Sequence, residues 1–386
     1  MNKQRISIWG STGSIGTQTL EVIREYPERF EIVTLAAYRN AEKIFRQAQK
    51  VKPQHVILTG DVDSAWKSRF EKVGIRYFSG PDALINSAQS GDEDMVVNGL
   101  VGAVGLVCTT KAIQAGVNIA LANKEVLVMA GELIGRLLKN SHSRLIPVDS
   151  EHSAVYQCLQ GERSESIRRI ILTASGGPFR NRSLDELNHV TVEEALNHPN
   201  WDMGAKITID SATMINKALE IIEARWLFNI SPKQIEVMIH PQSILHSMVE
   251  FIDGSLKAQL SIPDMRVPIA YALSCPERWE LPFGSLDTTK FHQLELIPPD
   301  MDRFPALKLA YQVLEAGGSA PAVLNGADEI AVQAFLEEEI GFMQITDCIR
   351  EALNRHQKTD NPSLEQIVAA DREARETVRD FIRSMK

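Results

Sequence analysis

Two carboxylates stand two positions apart, at Asp149 and Glu151, where an apolar stretch from Ser143 to Val148 ends. In an extended chain, residues two apart point to the same face, so we expect both side chains to face one way at a strand end. Paired carboxylates suit a hard divalent cation. They are equally compatible with a solvated acidic turn, because acidic pairs also serve structural roles.

A second polar cluster follows further along the chain, on a helix expected from Asp210 to Phe228. On that helix Asn216, Lys217 and Glu220 share one face at three- and four-residue spacings, and Ser211 stands just upstream. Three carboxylates in the two clusters, together with Ser, Asn and Lys, suit a divalent cation and a phosphorylated, oxygen-rich substrate.

A glycine-rich loop, Gly-Ser-Thr-Gly-Ser-Ile-Gly from Gly10 to Gly16, follows the predicted strand Ile6–Trp9 and precedes a helical pattern. Such a loop turns tightly and brings backbone N–H groups to a pyrophosphate, where the helix N terminus adds partial positive charge. The GxxGxxG spacing departs from the GxGxxG form, so an ordinary glycine-rich turn is the alternative. The strand-loop-helix context favours dinucleotide binding.

The next strand ends in Ala36-Ala37-Tyr38-Arg39-Asn40, without the acid that usually binds the ribose hydroxyls of NAD. The planar fork of Arg39 can instead pair with a 2′-phosphate, which favours NADP. The alternative is that Arg39 is an ordinary surface residue, as most arginines are.

Three further segments carry polar groups at predicted strand ends or in loops. Lys124 and Glu125 follow a strand and form either a substrate contact or a charge pair at a helix start. Ser175 begins a Ser-Gly-Gly-Pro turn that resembles an anion nest. The loop 197–204 holds His198 and Trp201, which suit a lid over a ligand or a packed loop anchor. No histidine spacing supports a zinc site.

Short apolar runs alternate with helical patterns in the first part of the chain, which predicts a parallel, doubly wound sheet. From about Ile167 the pattern becomes α+β, with an antiparallel pair joined at Asp253-Gly254. The fold class is therefore α/β, and we expect four ranges: a Rossmann-like dinucleotide-binding domain (1–149), a central α+β catalytic domain (150–274), a proline-rich linker (275–304) and a C-terminal helical bundle (305–386). The predicted strands are Ile6–Trp9, Ile32–Ala36, His55–Leu58, Met95–Asn98, Asn118–Leu121, Leu145–Val148, Ile170–Thr173, Glu236–Ile239, Ser247–Phe251 and Leu256–Ser261.

Composition excludes several classes of protein. The net charge of −9 over 386 residues provides no basic field for nucleic acid, and the longest apolar stretch, Met95–Val107, is too short to cross a membrane. The four cysteines lie far apart and no secretory leader is evident, so we expect a cytoplasmic protein without disulfides.

Together these motifs resemble the 1-deoxy-D-xylulose 5-phosphate reductoisomerase family over nearly the whole chain. The resemblance is carried by the glycine loop, Ala122–Glu125, Pro147–His152, Thr173–Phe179, His198–Gly204, Thr208–Glu223 and Ile239–Ser243. It implies a homodimeric enzyme of isoprenoid precursor synthesis that needs NADPH and Mg²⁺, Mn²⁺ or Co²⁺. The enzyme would rearrange a ketose phosphate and reduce the resulting aldehyde to 2-C-methyl-D-erythritol 4-phosphate.

The resemblance also implies roles for individual residues. The metal ligands are Asp149, Glu151 and Glu220, which together with Lys124 form the catalytic set. Substrate contacts are implied for Lys124, Ser150, Glu151, Ser175, His198, Trp201, Ser211, Asn216, Lys217 and Glu220. Cofactor contacts are implied for Thr12, Gly13, Ser14, Ile15, Tyr38, Arg39, Asn40, Asn123, Glu125 and Gly204. One departure is Tyr38, because the family most often has Gly at that position.

Two rival functions share part of this pattern. A simple NADP-dependent dehydrogenase of the aspartate-semialdehyde or homoserine type would keep the cofactor domain but would not need three metal carboxylates. A non-catalytic dinucleotide sensor would keep the glycine loop but has no reason to align Lys217 and Glu220 on one helix face.

Overall fold

A computed structural model describes residues 3–199, 201, 203–290 and 293–385. The chain divides into two compact units. The first comprises the residues up to Val126 together with Ile134–Ser153 and Asp264–Gly284, and the second comprises Leu127–Leu133, Ala154–Pro263 and the residues from Ser285 onward. This division crosses the four ranges expected from sequence, since Asp264–Gly284 belongs to the first unit. The expected division into three domains and a linker stays a prediction.

The first unit is built on a seven-stranded parallel sheet, ordered β4-β3-β2-β1-β5-β6-β7. The order runs one way from β1 and the other way from β5, so the topological switch point, where such sheets bind ligands, lies between these two strands. The doubly wound prediction is confirmed. The strands are Gln4–Trp9 (β1), Phe30–Ala37 (β2), His55–Leu58 (β3), Arg76–Ser79 (β4), Met95–Asn98 (β5), Asn118–Leu121 (β6) and Leu145–Pro147 (β7).

Helices connect these strands and turn apolar faces toward the sheet. In the second helix, for example, Ala41, Ile44, Phe45 and Ala48 are buried at helical spacing. The helices up to the end of the sheet are Ser14–Glu25 (α1), Ala41–Val51 (α2), Ala65–Lys72 (α3), Pro81–Ser90 (α4), Val104–Gln114 (α5), Glu125–Lys139 (α6) and Ser150–Cys158 (α7).

The second unit contains a four-stranded mixed sheet, ordered β11-β10-β8-β9. Strand β9 runs parallel to β8, whereas β10 is antiparallel to β8 and pairs with β11 through the predicted Asp253-Gly254 turn. All four strands predicted from sequence are present. Their bounds are Ile167–Ala174 (β8), Ile235–Ile239 (β9), Leu245–Phe251 (β10) and Leu256–Leu260 (β11).

The remaining long elements of the described chain are helices, and they include the C-terminal region predicted as helical. There α14 and α16 pack together, and the amide of Asn325 donates to Asp371 at 2.9 Å. No helix within the described residues is long and apolar enough to span a membrane. The helices are Leu184–Leu187 (α8), Val192–Leu196 (α9), Ala205–Ala212 (α10), Ile215–Leu227 (α11), Arg266–Ser274 (α12), Ala306–Ala316 (α13), Ala320–Leu336 (α14), Gln344–Arg355 (α15) and Leu364–Met385 (α16).

The helix predicted from Asp210 to Phe228 is wrong, because the chain forms two helices there, α10 and α11. Met214 separates them with a left-handed backbone, φ 63°. A non-glycine residue in that conformation interrupts a right-handed helix at a cost of about 1–2 kcal/mol. The break redirects the chain just before Asn216 and Lys217.

A buried carboxyl group, Glu93, precedes β5 in the first unit and is 4% exposed. Burial raises its pKa from 4.5 to about 7, against a smaller lowering by the Ser7 hydroxyl. The folded protein therefore favours the neutral carboxyl. The stability that this preference contributes is complete below pH 4.5 and is lost as the pH rises through about 7.

Replacing Glu93 by Gln should remove this pH dependence. The stability advantage of Glu93→Gln over the wild type should grow by about 3 kcal/mol as the pH rises through this window. Thermal unfolding at about pH 5 and about pH 8 measures the difference. Glu71→Gln, at an exposed position on α3, is the control. An advantage that stays constant with pH would mean that Glu93 is already ionised in the folded protein.

Candidate active site

The glycine loop has the geometry of a phosphate cradle. Gly10 has φ +81°, and the N–H groups of Gly10 and Ser11 both donate to the Ala36 carbonyl at 2.9 Å. A Cβ on Gly16 would lie 2.4 Å from the Gly10 carbonyl oxygen, so this position admits only glycine. Gly13 precedes α1, and no described side chain caps that helix N terminus. Its first N–H groups can therefore bind an anion.

Two side chains of α2 hold this loop, and sequence reasoning missed both. The Lys43 ammonium donates to the Thr12 carbonyl at 2.7 Å, and the Gln47 amide donates to the Ser11 carbonyl at 2.7 Å. Both bonds join residues more than thirty positions apart, so no local pattern predicts them. Asn40, an implied cofactor contact, caps α2 by accepting from the Lys43 N–H at 3.1 Å.

Asn123, another implied cofactor contact, organises the loop after β5. Its amide donates to the carbonyls of Leu100 and Gly102 at 2.9 and 3.0 Å, and to the Glu125 carboxylate at 3.1 Å. Asn123 is 1% exposed and Glu125 is 8% exposed. These two side chains therefore shape the loop beside the switch point.

Lys124 and Asp149 form a buried ion pair at the carboxyl ends of β6 and β7. Their side chains are 7% and 16% exposed. The Ser150 N–H donates to Asp149 at 3.1 Å, and the Ser150 hydroxyl donates to Glu151 at 2.5 Å. The structure thus brings together Lys124, Asp149, Ser150 and Glu151, all of which were singled out in the sequence.

The backbone around these carboxylates differs from the expectation. Strand β7 ends at Pro147 instead of Val148, and α7 begins at Ser150. Glu151 therefore lies in the first turn of a helix, so the predicted extended backbone is wrong, although carboxylate oxygens of Asp149 and Glu151 do lie within 4.8 Å of each other. The reason is that the chain turns directly from the strand into a helix, where acidic residues are stabilised by the helix dipole.

In the second unit, Ser175 meets the loop that contains His198 and Trp201. The Trp201 backbone N–H donates to His198 Nδ1 at 3.0 Å, so the neutral ring carries its proton on Nε2. That nitrogen lies 3.1 Å from the Ser175 hydroxyl oxygen. Burial, with the charge of Arg180 adding to it, lowers the pKa of His198, which favours this neutral form. Asn200 and Asp202 of the predicted lid lie outside the described residues.

The Ser175 turn also approaches the end of α10. Gly177 has φ +65°, and a Cβ there would lie 2.7 Å from the Ser211 carbonyl oxygen. Glycine at this position lets the turn pack directly on α10. The short turn from Ser175 to Gly177 thus contacts both His198 and the backbone of Ser211.

The polar face predicted for Asn216, Lys217 and Glu220 is present in the first turns of α11. The Asn216 amide donates to Glu220 at 2.5 Å, and the Lys217 ammonium donates both to Glu220 and, at 2.5 Å, to the Thr173 carbonyl. Lys217 is 3% exposed and Glu220 is fully buried. The helix therefore carries a buried Lys217–Glu220 ion pair beside the end of β8, with the half-buried amide of Asn216 bonded to it.

Helix α10 is anchored by an ion pair that sequence reasoning missed. The Lys206 ammonium donates to Asp210 at 2.5 Å and to Asp328 of α14 at 2.6 Å. Asp328 is fully buried, and burial raises its pKa while Lys206 opposes that shift. The contact spans 122 residues, so the sequence gives no signal for it. It fixes the helix that carries Ser211 and Gly204, the N-cap residue of α10.

The side chains singled out for a metal fit a hard divalent cation by their chemistry. Asp149, Glu151 and Glu220 offer carboxylate oxygens alone, which favour Mg²⁺ or Mn²⁺ over softer metals. Lysines hold two of them, Asp149 through Lys124 and Glu220 through Lys217. A carboxylate has about four acceptor positions, so each can keep its lysine and still ligate a cation.

Comparison with known families gives a match along the chain. The 1-deoxy-D-xylulose 5-phosphate reductoisomerase model matches residues 6–131. Models of the C-terminal domain of 1-deoxy-D-xylulose 5-phosphate (DXP) reductoisomerase match residues 145–228 and 260–377.

Individual relatives match at full length. The 1-deoxy-D-xylulose 5-phosphate reductoisomerase of Chlorobium chlorochromatii is 52% identical over 98% of this chain and 99% of the relative. That of Desulforamulus reducens is 51% identical over 99% of both chains.

Solved structures agree with the sequence comparison. The reductoisomerase of Zymomonas mobilis in complex with NADPH is 41% identical, with a TM-score of 0.92 over 99% of both chains. A DOX-P reductoisomerase in complex with NADPH, fosmidomycin and magnesium is 39% identical, with a TM-score of 0.94 over 99% of both chains.

Proposed function

The chain belongs to the 1-deoxy-D-xylulose 5-phosphate reductoisomerase family, and on that premise we propose how its residues carry out the reaction. The enzyme converts 1-deoxy-D-xylulose 5-phosphate to 2-C-methyl-D-erythritol 4-phosphate with NADPH and a divalent cation, in isoprenoid precursor synthesis. The observation that carries this function is the agreement with reductoisomerases over the full length of the chain.

We propose that NADPH lies along the carboxyl edge of the first sheet. The backbone of Thr12, Gly13, Ser14 and Ile15, at the uncapped start of α1, binds the pyrophosphate. Arg39 and its neighbours Tyr38 and Asn40 meet the adenosine end. The remaining proposed contacts to NADPH are Asn123, Glu125 and Gly204.

We propose that Asp149, Glu151 and Glu220 are the ligands of one divalent cation. When bound, such a cation acts as a Lewis acid on neighbouring ketone and hydroxyl oxygens. The chain's own contribution is orientation: Lys124 and Ser150 fix the carboxylates of the first unit, while Asn216 and Lys217 fix Glu220. Lys124 and Ser150 are also proposed to contact the substrate.

The substrate phosphate is proposed to bind to Ser175, His198, Ser211, Asn216 and Lys217. Backbone N–H groups for the phosphate are supplied by the Gly176-Gly177 turn and by the N terminus of α11, both in the second unit. Binding energy from this remote phosphate can position the reacting carbons, which is the usual use of a non-reacting group.

We further propose that the enzyme acts in the cytoplasm as a homodimer. Its four cysteines form no disulfide in the described chain, which suits a reducing compartment. Cell fractionation tests the location. Sedimentation over a range of protein concentrations tests assembly, and a monomer at all of them would contradict the dimer.

The experiment that tests the function is NADPH oxidation with 1-deoxy-D-xylulose 5-phosphate, with the product identified by mass spectrometry. We expect 2-C-methyl-D-erythritol 4-phosphate when a divalent metal is supplied. 1-Deoxy-D-xylulose without its phosphate is the control and should react poorly. Reduction of an aldehyde or ketone without skeletal rearrangement or metal would instead favour a simple dehydrogenase.

Replacing Trp201 by Ala should reduce kcat/KM for the ketose phosphate about a hundredfold while leaving the Kd for NADPH within about twofold. The reason is that the half-buried indole, which the substitution removes, closes the proposed lid, whereas the backbone N–H that donates to His198 is kept in the variant. Trp201→Phe, which keeps an aromatic ring, should retain most activity. Steady-state kinetics and NADPH titration measure both effects, and equal losses in the two would argue for a static loop anchor.

A further inference from the structure

The end of β2 carries an aromatic ring and a guanidinium that face each other. The guanidinium carbon of Arg39 lies 4.6 Å from the centre of the Tyr38 ring, within the range of cation–π attraction. The Tyr38 side chain is nevertheless 61% exposed. Burial in the core therefore does not account for an aromatic residue at this position.

Gly60, which follows β3, fits against the same pair. Its N–H donates to the Tyr38 carbonyl at 2.9 Å. A Cβ at Gly60 would lie 2.6 Å from Arg39 Cγ and 2.7 Å from Tyr38 Cε2, closer than carbon atoms approach in proteins. The missing side chain thus leaves the room in which the ring and the arginine stem lie together.

The Arg39 guanidinium has no ion pair with an Asp or Glu among the residues that the structure describes. Its backbone is fixed on the following side, because the Ala41 N–H donates to the Arg39 carbonyl at 2.7 Å and Asn40 caps α2. An exposed guanidinium that is held in position and lacks a carboxylate partner is suited to take an anion from a ligand.

We propose that Tyr38 and Gly60 are positioning residues that hold Arg39 for the 2′-phosphate of NADPH and thereby set the preference over NADH. The inference rests on the proposed function, because Arg39 meets the adenosine end of the cofactor there. Stacking on Tyr38 removes rotamers of the long arginine side chain before binding, so less entropy is lost when the phosphate arrives. NADH has no 2′-phosphate, so its binding does not use this arrangement.

The test is titration of purified protein with NADPH and NADH, and with the pair adenosine 2′,5′-bisphosphate and adenosine 5′-monophosphate. Tyr38→Leu should raise the Kd of the two 2′-phosphorylated ligands about fivefold. It should change the Kd of the other two ligands by less than about twofold. Tyr38→Phe should behave as the wild type, because it keeps the ring. Gly60→Ala should weaken the 2′-phosphorylated ligands as Tyr38→Leu does.

The matched control is Gly135→Ala, where an added Cβ meets nothing within 4 Å. Equal weakening of all four ligands by Tyr38→Leu would reveal a merely structural role and overturn the inference. Unchanged or tighter NADPH binding would overturn it as well, because the ring would then be a spectator or an obstruction. Wild-type turnover of the ketose phosphate is measured separately, so failure here is distinguishable from failure of the proposed function. We expect Arg39→Gln to lose the preference for NADPH over NADH. If this variant kept the preference, the inference would also be overturned.

Discussion

Glu220→Gln should reduce turnover about a thousandfold or more and should also destabilise the metal-free protein. The loss of activity follows from the proposed role of Glu220 as a metal ligand, since Lewis-acid stabilisation contributes several kcal/mol to a transition state. The loss of stability follows from the fold. Glu220 is fully buried and pairs with Lys217, which is 3% exposed.

Breaking a buried ion pair from one side leaves the other charge uncompensated, at a cost of about 3 kcal/mol. Repulsion among the three carboxylates in the absence of metal acts in the opposite direction, but we expect the broken pair with Lys217 to outweigh it. No local pattern in the sequence indicates that Lys217 is buried against Glu220. The first two turns of α11 therefore contribute to stability, and under the proposed metal role of Glu220 they contribute to catalysis as well.

Melting temperatures and steady-state rates of Glu220→Gln measure the two effects. Glu236→Gln is the matched control, because Glu236 and its partner Arg169 have side chains that are 40% and 37% exposed. The control should lose less than about 1 kcal/mol and keep its activity. Normal turnover in Glu220→Gln would rule out the metal role, and an unchanged melting temperature would rule out the structural one.

Asp149→Asn should weaken binding of Mn²⁺ about a hundredfold and reduce turnover about a thousandfold. Asp149 is the partner of the buried Lys124, so the substitution removes a proposed ligand and also a negative charge that offsets the Lys124 ammonium, which repels the cation. Titration with Mn²⁺ measures affinity directly. The control is Asp287→Asn on the exposed Lys290–Asp287 pair, whose charged atoms lie 3.4 Å apart. Equal Mn²⁺ affinity in Asp149→Asn and wild type would exclude Asp149 as a ligand.

The features that sequence predicted well are those with a local physical cause. The strands His55–Leu58, Met95–Asn98 and Asn118–Leu121 have the predicted bounds, because a buried parallel strand reads as a continuous apolar run. Strand β4 was not predicted. Three of its four residues are exposed, so its pairing with β3 depends on the sheet and not on its own pattern.

The features that sequence missed depend on contacts between distant residues or on unusual backbone. Met214 takes a left-handed conformation that its residue type does not suggest. Lys43, Lys206 and Asp328 act through bonds to residues far along the chain. For the candidate site, motifs were sufficient to propose residues, whereas the lysine–carboxylate pairing and the helical setting of Glu151 required the fold.

We propose above all that Asp149, Glu151 and Glu220 make the reductoisomerase reaction dependent on one divalent cation. The most direct measurement is turnover of 1-deoxy-D-xylulose 5-phosphate with NADPH in protein freed of metal by a chelator, followed by titration with Mn²⁺. We predict no turnover without metal, and activity that rises in proportion to occupancy and saturates at one ion per chain. Full turnover by metal-free protein, or activity unrelated to occupancy, would contradict the account.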